Sequence, residues 1–136
     1  MVEFALVVGI FVMVLYGLIY FGMALATKQR VTNAAAEGAR AAVGQPPANA
    51  ASVASTRVNT LLGGTAKGYT IGPDPTGPRI GNCDTNPALP ANSGAQCVWV
   101  TITWDWANHP VVPAAPGLRI FPINSLSSTA VVQYSS

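Results

Sequence analysis

Two cysteines are the residues of this chain whose type and spacing most directly predict a covalent bond. Cys83 and Cys97 have 13 residues between them, in a stretch rich in Pro, Gly and Asn. A disulfide at this spacing would close the loop and stabilise the fold by about 3 kcal/mol on the chain-entropy model. Two unrelated free thiols are the alternative, and zinc is disfavoured because His109 is the only histidine and no Cys-x-x-Cys pair occurs. An oxidised pair would place this part of the chain outside the cytoplasm.

The acidic residues and the histidine do not form a catalytic or metal-binding pattern. Beyond residue 43 the carboxylates lie in three separate contexts, at Asp74, Asp84 and Asp105, and His109 precedes Pro110 without a nucleophile motif nearby. The sequence also lacks a glycine-rich phosphate loop, a haem attachment motif and a calcium loop. We therefore predict a protein that is not an enzyme and that holds no cofactor or metal.

Charged and aromatic residues narrow the choice of partner. Charged residues make up 9% of the chain, the net charge is +2, and Lys28 with Arg30 is the only close basic pair, so we predict no nucleic-acid partner. Three tryptophans in one segment suggest a surface on which sugars could stack. Packing in the core is the interpretation favoured for Trp104 and Trp106. Trp99 stays open as a possible surface-recognition residue.

The element that must position these residues is an uncharged apolar stretch from Phe4 to Ala26. As a helix its 23 residues would span about 35 Å, against about 30 Å of bilayer hydrocarbon. No second run of this length occurs. The stretch is therefore predicted to cross a membrane once, or to be covered by the same segment of neighbouring copies.

Small residues recur along this apolar stretch. Ala5, Gly9 and Gly17 follow a spacing of four that Met13 interrupts, and Gly22 lies a turn beyond. Small residues at such spacing let apolar helices approach closely, which predicts helix–helix contacts here, with chance placement as the alternative.

Glu3 stands at the N-terminal end of the stretch. Its carboxylate would lie at the headgroup level of a membrane and favour the positive end of the helix dipole. In a bundle of identical helices it would instead need a cation, and an N-terminal amine is the obvious partner.

The charges flanking the apolar stretch conflict with an extracytoplasmic location. Lys28 and Arg30 follow the stretch while only Glu3 precedes it, which by the positive-inside rule would keep the C-terminal part in the cytoplasm. A basic leader ahead of residue 1, removed during processing, would resolve the conflict.

The rest of the chain predicts a small domain around that helix. The helix should continue to Val43, with Val31, Ala35, Gly38 and Ala42 on one face, and stop at Gly44 before two prolines.

A second helix of about 13 residues is predicted from an Asn49 cap to before Gly63, with its apolar face formed by Ala54, Val58, Leu61 and Leu62. Strands are predicted at Tyr69–Ile71, at Cys97–Trp106, near Leu118–Phe121 as a short edge strand, and at Leu126–Tyr134, with a long Pro- and Gly-rich loop after Gly72.

We thus expect an α+β protein in which a long N-terminal hydrophobic helix packs against a small antiparallel β-sheet domain with one short extra helix. Residues 1–44 should form the membrane or filament-core helix. Residues 45–136 should form an extracytoplasmic domain with a loop stapled by the disulfide.

The N-terminal motifs resemble those of a known family. Glu3-Phe4-Ala5-Leu6, the apolar run with Gly17 and Phe21-Gly22, and the segment NAAAEGAR at residues 33–40 are similar to the TadE-like pilins and pseudopilins of the tight-adherence type IV system. The resemblance implies a long filament-core helix, removal of a basic leader by a prepilin peptidase, and docking of subunits through a glutamate that corresponds here to Glu3.

On this resemblance we expect a structural subunit of an extracellular pilus filament that mediates surface adhesion. It would span the inner membrane once before the assembly machinery polymerises it through its N-terminal helices. Two alternatives remain at this point. One is a minor membrane-bound pseudopilin that primes assembly, and the other is a single-pass anchored module that binds glycans or surfaces.

Overall fold

The computed structural model describes residues 2–64, 68–72, 78–83, 96–111 and 123–134. Within these residues the order of elements is one long helix, one shorter helix and a small antiparallel sheet, which confirms the predicted α+β class. The elements are α1 Val2–Val43, α2 Pro47–Leu62, β1 Tyr69–Ile71, β2 Arg79–Asn82, β3 Gln96–Asp105 and β4 Ser125–Tyr134.

Helix α1 runs without a break through both the apolar stretch and the Ala-rich segment that follows it. Its 42 residues correspond to about 63 Å. The chain contains no proline before Pro46, and Gly44 with the Pro46-Pro47 pair ends the helix as predicted. The predicted inward stripe is confirmed, because the following residues are all buried: Val31, Ala35, Gly38 and Ala42.

Helix α2 begins three residues earlier than predicted. Pro46 takes the cap position without a side-chain hydrogen bond, and Pro47 is the first helical residue. Asn49 therefore lies inside the first turn, and the prediction that it caps the helix is wrong. Proline suits the first helical position because its fixed φ matches the helix and its missing N–H is not needed there.

Helix α2 ends at a glycine, and its buried face is formed by residues spaced four apart. Gly63 takes a left-handed conformation, with a φ of 82°, and its N–H donates to the Asn59 carbonyl oxygen. Leu61 was predicted on the buried face, but it is 47% exposed. A period of four places these residues on the inward face instead: Ala50, Ala54, Val58 and Leu62.

Strand β3 is the centre of the sheet. On one edge β4 pairs with it over its whole length, from Gln96 opposite Tyr134 to Asp105 opposite Ser125. On the other edge β2 pairs with its first residues and β1 with its last ones. The predicted strands at Tyr69–Ile71, Cys97–Trp106 and Leu126–Tyr134 are confirmed, although β3 ends at Asp105.

Strand β2 was not predicted, because its four residues lie in a stretch that the prolines and glycines on either side marked as a loop. The prediction of an unbroken loop after Gly72 is therefore wrong at Arg79–Asn82. The rest of that loop, and the edge strand predicted near Leu118–Phe121, lie outside the described residues.

One core joins the second half of α1 to everything that follows it. The inner face of β3 and the inward stripe of α2 pack against α1 from Ala24 onward. The side chains in this core that are at most 1% exposed include Val31, Ala35, Val58, Val98, Val100, Ile102 and Trp106. Ahead of Ala24, Tyr20 packs against the edge of this core. The aliphatic, Phe and Met side chains from Phe4 to Met23 remain exposed, so within the described residues this half of α1 carries the largest uncovered apolar surface.

Candidate assembly surface on the N-terminal helix

The first half of α1 carries a long surface of exposed apolar side chains. Its large apolar residues are between 41% and 76% exposed. Among the described residues α1 is the one helix that is long and apolar enough to cross a membrane, and its most apolar 18-residue window is not buried by the rest of the chain. Removing apolar surface from water is favourable by about 25 cal/mol per Å². This half of the helix therefore requires a cover of lipid or protein. We call Glu3 to Met23 the apolar half.

The predicted small residues lie on this apolar half with open space around them. Nothing lies within 4 Å of the point where a Cβ would sit on Gly9, Gly17 or Gly22. Ala5, Gly9 and Gly17 follow the i+4 rows that form ridges and grooves on a helix surface, whereas Gly22 falls off that row. This row of small residues is accessible to another helix. That a neighbouring helix packs there stays a prediction.

Glu3 and Phe4 are at the exposed tip of α1. Phe4 is 76% exposed and Glu3 is exposed as well. Within the described part of the chain Glu3 has no ion-pair or hydrogen-bond partner. Its carboxylate is thus available to a group outside this chain.

The folded domain begins at an aromatic contact with the helix. The Trp106 indole N–H donates to the Tyr20 hydroxyl oxygen at 2.7 Å, and the two rings meet edge to face with centroids 6.0 Å apart. Trp106 is buried, which confirms its predicted core role, and Trp104 is buried too. Sequence reasoning did not identify the contact with Tyr20, because the two residues are 86 positions apart. The only sequence signal was that a buried indole needs a hydrogen-bond partner.

At Gly38 helix α2 packs closely against α1. A Cβ on Gly38 would lie 2.7 Å from Val58 Cγ2 and 3.3 Å from the Ala54 carbonyl oxygen. Beside it Glu37 pairs with Arg40 at 3.1 Å and reaches Arg57 of α2 at 3.9 Å. The EGAR segment at residues 37–40 therefore docks α2 on α1, a role that the sequence analysis did not assign.

The two cysteines are joined in a disulfide, with Cα atoms 5.0 Å apart. Cys97 lies near the start of β3, and Cys83 directly follows β2. The bond ties the short strand β2 to the centre of the sheet, so it closes the intervening loop as predicted.

Trp99 lies half-buried on the face of the sheet that points away from α1. Its ring packs over Gly81 on β2, where a Cβ would come within 3.4 Å of it. The ring therefore covers the gap that the glycine leaves in the sheet, and a role in surface recognition stays a prediction.

The other candidate residues for chemistry do not converge. Among the described residues no group of three or more His, Cys, Asp and Glu side chains could hold a metal. Hydrogen bonds from the side chain and backbone N–H of Asn108 lower the pKa of Asp105, which closes the turn after β3. His109 packs against Gly68. Asp74 and Asp84 lie outside the described residues.

Comparison with known proteins places a family match on the same segment. Residues 1–40 match the family model described as TadE-like protein. No curated protein and no solved structure matches the chain significantly. The match confirms the resemblance over the N-terminal region, and it covers Glu3, the small residues of the apolar half and the EGAR segment.

Proposed function

We propose that this chain is a structural subunit of an extracellular TadE-like pilus filament that serves surface adhesion. The apolar halves of many copies would form the filament core, and the sheets with α2 would form its outer layer. Before assembly the same apolar half would span the inner membrane, after a prepilin peptidase has removed a leader. The TadE-like pilus family is structural rather than enzymatic, which supports a function without catalysis.

The observation that carries the proposal is the division of α1 into two halves with opposite environments. From Ala24 onward the helix contributes buried side chains to the core of its own domain. Ahead of it the apolar half meets the domain at Tyr20, while its aliphatic, Phe and Met side chains are left exposed. A helix that only anchored a domain would need lipid alone, but a filament subunit needs a surface that lipid and sister helices can cover in turn. The open row at Ala5, Gly9 and Gly17 fits the second requirement.

Glu3 supplies the specificity of this assembly. An unpaired carboxylate costs several kcal/mol inside an apolar bundle, while pairing with the N-terminal ammonium of a neighbouring subunit recovers much of that cost. In a homopolymer this pair fixes which turn of one helix faces which turn of the next. The charge thus sets the axial register more than it adds stability.

The test is to remove that charge in cells that make the filament. Glu3→Ala and Glu3→Gln should leave the protein folded and inserted in the membrane, because an uncharged helix inserts at least as well, yet should reduce filaments at least tenfold. Glu3→Asp should be intermediate, since it keeps the charge on a shorter side chain. Filaments are counted by electron microscopy, and membrane insertion is measured by fractionation.

Glu37→Gln is the matched control. It removes a carboxylate from the same helix, but from exposed ion pairs that contribute about 0–1 kcal/mol, so filaments should persist. Normal filament numbers in Glu3→Ala cells would contradict the docking role. Abundance in sheared surface material separates a major subunit from a minor pseudopilin, because a major subunit dominates that material.

A further inference from the structure

A groove opens on the domain directly above the apolar half of α1. Its volume is about 210 Å³, and it lies where the end of α2 meets α1 and β3. The lining residues on which the argument depends are Thr27 and Arg30 of α1, Thr60 and Leu61 of α2, and Val111.

The position of the groove along α1 matches the headgroup layer of a membrane. From Glu3 to Met23 the apolar half spans about 30 Å, the thickness of the hydrocarbon core. The headgroup layer adds about 5–8 Å on each side. Thr27 lies four residues, or about 6 Å, beyond Met23. The backbone of Arg30 lies about 10 Å beyond Met23, and its long side chain can extend back to the headgroup layer because helix side chains tilt toward the N-terminus. The Tyr20–Trp106 pair lies just below, at the depth where amphipathic aromatic side chains anchor membrane proteins.

Arg30 is the anion-binding group of the groove. Within the described residues its guanidinium makes no ion pair and no hydrogen bond. The neighbouring cation Lys28 is already engaged, since its ammonium donates to the Ser127 carbonyl oxygen. The hydroxyls of Thr27 and Thr60 donate to carbonyl oxygens of their own helices, at 2.9 Å each. The groove therefore offers one unpaired cation, with a planar fork of donors that suits a phosphate.

The rim of the groove suits the apolar part of the same ligand. Leu61 is 47% exposed and Val111 is 45% exposed, although both lie beside the core. Exposed aliphatic side chains next to a membrane-spanning helix are in a position to contact acyl chains near the glycerol backbone. A free inorganic anion would make no use of them.

We propose that this groove binds a membrane phospholipid, with the phosphate held by Arg30 and the glycerol end of the acyl chains against Leu61 and Val111. The inference rests on the membrane-inserted state of the proposed function, not on filament formation. A bound lipid would fix the height and tilt of the domain above the bilayer before the subunit is extracted.

The test is lipid retention by the full chain in a detergent without phosphate, measured by native mass spectrometry. Dioleoylphosphatidylglycerol is titrated against dioleoylglycerol, which has the same acyl chains but no phosphate. We expect one phospholipid per wild-type chain and at least tenfold weaker retention of dioleoylglycerol. Arg30→Gln should weaken phospholipid retention about tenfold, the effect of losing a charge-assisted hydrogen bond. Arg30→Lys should be intermediate.

Arg79→Gln is the matched control, because it removes the same charge from an exposed position on β2, near the opposite end of β3. It should retain lipid like the wild type. The proposal is overturned by equal retention in wild type and Arg30→Gln, by an equal loss in Arg79→Gln, or by displacement of the lipid with millimolar inorganic phosphate. Near-UV circular dichroism checks that each variant is folded. The filament assay on Glu3→Ala tests the proposed function independently, so the two failures are distinguishable.

Discussion

Gly38 shows how one missing side chain determines the packing of two helices. The Ala54 carbonyl oxygen and Val58 of α2 occupy the space that a Cβ on Gly38 would need. Both neighbours are buried, so neither can move without disturbing the core. The glycine is therefore a requirement of close approach rather than a source of flexibility.

We predict that Gly38→Ala lowers the free energy of unfolding by about 1–3 kcal/mol, the usual cost of inserting a methyl group into a packed core. Denaturant unfolding in detergent, followed by tryptophan fluorescence, measures the change. Gly22→Ala is the control on the same helix. Open space surrounds Gly22, so this substitution should leave the fold intact and stabilise the helix by up to about 1 kcal/mol. Equal stability of Gly38→Ala and the wild type would show that α2 can shift away from α1 at no cost.

At the scale of the elements, sequence periodicity predicted the long helix and the long strand, whose formation does not depend on contacts with distant parts of the chain. Helix α1 and strand β3 each repeat one pattern over ten or more residues, and both were found where the pattern placed them. Strand β2 has four residues, two of which are Gly and Asn, so its own composition disfavours a strand. It forms because β3 offers an open edge and the adjacent disulfide holds it there.

The candidate assembly surface and the residues around it divide in the same way between local and long-range features. The apolar half of α1 and the cysteine pair could be predicted from local sequence. The helix contact at Gly38, the Tyr20–Trp106 bond and the groove at Arg30 depend on residues that are brought together only by the fold. Asn49 misled the prediction because a capping residue was weighed without the fixed φ of the prolines just before it.

The disulfide gives a prediction at this scale. Reducing it, or replacing Cys83 with Ser, should destabilise the domain by about 2–5 kcal/mol, because the open loop regains conformational freedom in the unfolded state. Hydrogen exchange should show β2 losing protection before β4, since β4 pairs with β3 over ten residues and β2 over four. Quantitative alkylation of both cysteines in native, unreduced protein would contradict the bond.

At the scale of the whole molecule, the core extends across residue 44, where the sequence suggested a division between helix and domain. Val31, Ala35 and Ala39 of α1 are fully buried beneath α2 and the sheet. The division into a membrane or filament-core helix at residues 1–44 and an extracytoplasmic domain at residues 45–136 remains a prediction. For folding, the boundary suggested by burial lies near Tyr20, where the domain first contacts α1.

This difference predicts the behaviour of two fragments made without detergent and with the disulfide formed. A fragment of residues 16–136 removes most of the exposed apolar surface but keeps Tyr20 and the buried face of α1. It should be monomeric and unfold cooperatively. A fragment of residues 45–136 exposes the inner face of the sheet. The loss of the buried side chains of Val31, Ala35 and Ala39 alone lowers the free energy of unfolding by several kcal/mol, out of the total of about 5–15 kcal/mol that is typical of a domain. It should lack a cooperative transition in calorimetry. A cooperative transition of the shorter fragment at the same temperature would show that the domain folds without α1, and that α1 is held only by lipid or by neighbouring subunits.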